Sequence, residues 1–114
     1  MVERKDLSDL VHSLTVDRSA FVNRLKLMSG YQHRLLVITA PLSRIKSPYS
    51  FSAANPNRIF QSLVALPAGV NVPFLCTDTH ELGEEAVASY LHQVHLYHWL
   101  DSNDYGRFLV DDDL

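Results

Sequence analysis

The order in which apolar runs of different periodicity follow one another constrains the fold more than any other feature of the chain. "HRLLVITA" at residues 33–40 and "VNVPFLCTD" at 70–78 are short, β-rich apolar stretches and read as buried strands. "MVERK" at the start alternates in character and reads as a third, short strand. Helical periodicity fills the gaps. Leu7, Leu10, Val11 and Leu14 recur at i, i+3, i+4, i+7, with Asp6 placed to cap and Asp9 where the helix dipole favours an acid. The pattern passes a kink near Asp17 and runs through Phe21, Leu25 and Met28 to a stop at Gly30. Asn55 and Pro56 open another helix with Ile59, Phe60, Leu63 and Leu66 on its apolar side, and "PAG" ends it. Asp78 and Glu81 form a capping-box pattern ahead of Val87, Tyr90, Leu91 and Val94. The resulting β-α-β-α-β-α order predicts one three-layer α/β domain over residues 1–114 with a largely parallel sheet, and an acidic tail from about 102. Three strands are few for such a sheet. The opening strand begins almost at Met1, as though the first strand or strands of the fold are missing.

Composition narrows the setting. The chain is 46% hydrophobic and 20% charged, as expected of a single soluble domain, and it has no apolar run able to cross a membrane. Charges at the first positions argue against a signal peptide. The lone cysteine, Cys76, lies in an apolar run and reads as a buried, reduced thiol, which excludes a disulfide framework and indicates an intracellular setting, in cytoplasm and nucleoid or in a nucleus. Net charge is −3, but it is unevenly spread. Residues 1–60 hold nine Lys and Arg against four acids, whereas residues 61–114 hold Arg107 against nine acids. A basic first half facing a polyanion is one reading; ordinary solvated charge is the other.

The opening strand carries the chemistry. Glu3 and Lys5 fall on one face of it and Arg4 on the other. A carboxylate is the preferred ligand of Mg²⁺, and a neighbouring lysine orients water or stabilises charge on a phosphate. An isolated E-x-K is most often a solvated pair, so the longer string matters. "VERKDLSDLVHSL" resembles the XPF-type structure-specific nucleases, whose motif is E-R-K-x-x-x-D followed by an apolar helix: here Glu3, Arg4, Lys5 and Asp9. Arg18 sits where that family has an arginine in its first helix. "RLLVITA", "NPNRIFQSLVAL" and "VNVPFLCTD" follow in the family's order.

The resemblance implies a restriction-endonuclease-like core and a Mg²⁺- or Mn²⁺-dependent endonuclease that cuts branched or flap DNA as a homodimer or heterodimer. It assigns Glu3 to the metal, Lys5 to the water or scissile phosphate, Arg4 to the phosphate or to support of the site, Asp9 to the close of the motif, and Arg18 to DNA. Departures accompany it. The family's aspartate ahead of the glutamate has no counterpart in this chain, the glutamine after the helix arginine is missing unless Asn23 serves, and Thr39-Ala40 stand where many relatives carry an acid. A site short of one carboxylate holds Mg²⁺ weakly. The alternative reading is therefore a catalytically inactive nuclease-fold module that binds DNA or a partner subunit.

Other constellations add less. "PLSRIKSPYSFSAANP" (41–56) reads as a long loop in which Arg44 and Lys46, beside Tyr49 and Phe51, suit phosphate contacts and base stacking as well as they suit solvent. Ser43, Ser47 and Ser50 lack a histidine at a telling spacing, and no P-loop or dinucleotide fingerprint is present. His92, His95 and His98 step around their helix by threes, which does not suit a zinc site. Tyr97, Trp99 and Phe108 suit core packing, and as an exposed aromatic patch they would suit dimerisation.

Overall fold

The computed structural model describes residues 1–103. Three strands, β1 (Val2–Lys5), β2 (Leu35–Ile38) and β3 (Phe74–Cys76), form a parallel sheet in the order β1-β2-β3. Glu3 lies opposite Leu36 and Lys5 opposite Ile38. Leu36 and Ile38 in turn lie opposite Phe74 and Cys76. Alternation therefore places Glu3, Lys5, Leu36 and Ile38 on one face, and Arg4 and Val37 on the other.

The first face carries most of the core. Helix α1 (Leu7–Thr15) starts where Asp6 accepts the Asp9 amide at 2.8 Å, and it buries Leu7, Leu10, Val11 and Leu14. The kink expected near Asp17 is a full break. Helix α2 (Arg18–Met28) begins there, and Asp17 faces His12 Nε2 at 3.1 Å across the gap. Phe21, Leu25 and Met28, at i, i+4 and i+7, are its buried stripe. Helix α4 (Pro56–Ala65) adds Ile59 and Leu63, with Asn55 accepting the Asn57 amide.

Several boundaries differ from expectation. The loop at 41–56 contains a one-turn helix, α3 (Leu42–Ile45), anchored by the fully buried Ile45. "PAG" does not end the third long helix; the chain continues as a π turn, Leu66–Val70, because Pro67 has no N–H to give the α-helical ladder. It ends at Asn71, whose φ of 60° is left-handed and suits asparagine. Cys76 is half-buried rather than buried, and burial pushes its thiol pKa up.

The final helix, α5 (His80–Ser102), lies on the second face. Its cap is Thr79, which accepts the Leu82 amide at 3.1 Å, one residue later than the Asp78 cap expected. Gly83 makes the closest approach: a Cβ there would overlap the Thr39 side chain and lie 3.2 Å from Thr77 Oγ1. At 23 residues, about 34 Å of helix, α5 is far longer than the strands it covers. Among the described residues no helix is long and apolar enough to cross a membrane. The acidic end of the tail and Phe108 lie outside the described residues.

Candidate functional site

The face of β1 that the sequence singled out holds Glu3 and Lys5 side by side. Lys5 Nζ is 3.9 Å from Glu3 Oε1, and both side chains are only about one-sixth exposed (16% and 17%). A third charge joins them from α2: Arg24 Nη2 lies 3.1 Å from the same Glu3 oxygen. The buried ring of Phe21 supports both cations, with Lys5 Nζ 5.3 Å and Arg24 Cζ 5.6 Å from its centroid. That range favours attraction between a cation and the ring face. Phe21 and Arg24 are three residues apart on α2, which puts them on one side of the helix. The cluster is thus two cations and one anion on an aromatic floor, with a net positive charge.

Glu3 presents one hard oxygen donor beside a lysine on a partly sheltered strand face. That donor set fits a divalent ion at its lower limit, with water and phosphate oxygens completing the shell. Among the described residues, no three or more His, Cys, Asp or Glu side chains come together as a metal cluster. A metal at Glu3 would share the carboxylate with the Arg24 guanidinium, which already occupies Oε1.

The remaining sequence candidates are dispersed. Arg4 is on the opposite face, where Nη1 donates to Glu84 Oε1 at 3.4 Å; Glu84 also meets His80 at 3.1 Å. Asp9 has an amide bound by Asp6, and it lines a shallow cleft with His12, Thr15 and Phe51 rather than joining Glu3. Arg18 Nη1 donates to Leu14 O and to Ser62 Oγ, both at 3.1 Å, and so ties α2 to α1 and α4. Arg44 is exposed on α3. Lys46 lies just beyond it, with Nζ 4.5 Å from the Phe60 ring centroid and 3.4 Å from Asn57 Oδ1. His92, His95 and His98 are all exposed along α5.

Sequence reasoning missed Arg24 and Phe21. Phe21 reads from the sequence as a core residue, which it is, and Arg24 resembles any surface arginine. Only the i, i+3 spacing between them hinted at a shared role, and nothing local tied that side of α2 to β1.

Beyond its geometry, the chain is matched over residues 1–90 by the family model of the ERCC4 domain. No curated protein and no solved structure matches it.

Proposed function

The chain belongs to the ERCC4 domain family, the XPF-type nuclease domains with a restriction-endonuclease-like core, and on that premise we propose that it engages branched or flap DNA at the Glu3–Lys5 face and hydrolyses a phosphodiester there with Mg²⁺ or Mn²⁺. The observation that carries the reading is the pairing of a sheltered carboxylate and ammonium, 3.9 Å apart, on one face of an edge strand. Glu3 would hold the metal. A bound ion supplies Lewis-acid stabilisation of the phosphate. Lys5 neutralises charge that develops on the phosphate oxygens or orients the attacking water. Arg4 supports β1 from behind, through Glu84, and Asp9 secures the first turn of α1 at the motif's close. Arg18, Arg44 and Lys46 are the backbone-positioning cations. The setting is the interior of the cell, where such DNA is found.

Dimerisation fits the same reading. At the middle of α5, Leu91 (52% exposed) lines a recess with Val87, Val2 and Arg4, and an apolar surface of this kind suits a second subunit.

A second reading, a DNA-binding module that does not cut, is favoured by one specific contact. Arg24 already satisfies Glu3, so the cluster is complete without a metal and its net charge suits a phosphate. Flap and fork DNA incubated with Mn²⁺ separate the two readings. Cleavage lowered about 10²-fold or more by Glu3→Ala and by Lys5→Ala supports the nuclease. DNA binding without cleavage at any Mn²⁺ concentration supports the silent module, and equal nicking by all three proteins removes the site altogether.

A further inference from the structure

A cleft of ≈ 750 Å³ separates the end of α1 and the start of α2 from the first turns of α4. It is lined by Arg18, Asn57, Arg58 and Gln61 over an apolar base that includes Leu14 and Ile59. Among the described residues no carboxylate lines it, and neither arginine forms an ion pair. The four acids of residues 1–60 are engaged or placed elsewhere: Glu3 with Arg24, Asp6 at the α1 cap, Asp17 with His12, and Asp9 in a different cleft. Arg18 is pinned at the wall through Nη1 by Leu14 O and Ser62 Oγ, so its charge is held at the cleft without a rotamer search.

Resting on the reading of the chain as a DNA-acting domain, we propose that this cleft is a subsite for one unstacked nucleotide of single-stranded DNA. The arginines match a phosphate, the apolar base accepts a base or sugar, and the Asn57 and Gln61 amides offer both donors and acceptors to a base edge. The volume is of ligand-site size, larger than a phosphate contact alone requires. A recess between helices admits a base turned out of the stack, whereas a paired base stays in the duplex. The subsite thus reads the single-stranded side of a junction, and the Glu3–Lys5 face lies outside it.

The experiment is fluorescence anisotropy of the full chain with a labelled oligo-dT strand and a blunt duplex of equal length, over a salt series. Arg58→Gln and Gln61→Ala are compared with the wild type. Arg58 and Gln61 are both exposed on α4, so circular dichroism serves as the fold check. Expected is a five- to tenfold weaker hold on oligo-dT by Arg58→Gln and a salt slope shallower by about 0.7, as for one phosphate contact on a single strand. A smaller loss is expected for Gln61→Ala, with duplex affinity little changed. Unchanged oligo-dT binding by Arg58→Gln, or equal losses on single strand and duplex, overturns the subsite. Failure of the wild type to bind either DNA instead overturns the DNA reading on which it rests.

Discussion

Arg24 Nη2 stands 3.1 Å from Glu3 Oε1, nearer than the Lys5 Nζ of the motif itself at 3.9 Å. The carboxylate proposed to hold a metal is thus already paired with a guanidinium from the second helix. A cation at Glu3 meets the repulsion of that guanidinium, and an anion that draws Arg24 away leaves Lys5 as the recorded partner of Oε1.

Replacing Arg24 by glutamine therefore strengthens Mn²⁺ binding to the free protein. The Arg24 side chain is 49% exposed, so the pair is worth about 0.2–1 kcal/mol, and the expected gain is up to about fivefold. Calorimetric titration or Mn²⁺ paramagnetic resonance reads it directly, with Glu3→Gln as the protein in which binding disappears. Equal Mn²⁺ affinity in wild type and Arg24→Gln would show that the guanidinium does not compete.

Gly83→Ala tests how α5 is seated. The added methyl overlaps the Thr39 side chain at the end of β2, and overpacking of this kind costs about 1–3 kcal/mol. Urea unfolding should show that loss. Thr39→Ser, which removes the methyl that is struck, should restore part of it in the double variant.

Leu10→Ala probes the opposite layer. Leu10 is fully buried in the cluster formed by α1, α2, α4 and the sheet, so the truncation costs about 2–5 kcal/mol in a thermal or urea melt. Arg4→Ala should cost no more than about 1 kcal/mol, because its pair with Glu84 is exposed on both sides.

Leu91→Glu addresses association. If the α5 surface is a subunit contact, sedimentation of the wild type shows a concentration-dependent dimer that the charged variant loses. A monomer at all accessible concentrations in both proteins removes the surface from consideration.

Cys76 reports on the core side of β3. Burial favours the neutral thiol, so at any given pH less thiolate is present than in free cysteine. Reaction with a disulfide reagent should be slower than for free cysteine near neutral pH, and its pH profile should be displaced to higher pH. A profile that overlies free cysteine would contradict the burial.

Much of this architecture was legible in the residues. The i, i+3, i+4, i+7 spacing of Leu7, Leu10, Val11 and Leu14 identified α1, and strand alternation separated Arg4 from Glu3 and Lys5. The less legible parts depend on weaker local signals. Thr79 and Asp78 are both competent caps, and only the path of the chain chose between them. The turn of α3 inside a proline-rich loop forms because Ile45 finds a place in the core, a tertiary gain that local propensity does not reveal.

The sequence alone determined the alternation of strands and helices, the pairing of Glu3 with Lys5 on one face, and membership of the ERCC4 domain family, since each rests on periodicity or on residues adjacent in the chain. Only the tertiary structure decided that Arg24, over the Phe21 ring, pairs with Glu3, and that Arg18 and Arg58 share a cleft with no acid among its described lining residues. Those relationships join separate elements, and their geometry comes from how α2 and α4 pack on the sheet, which no local spacing encodes.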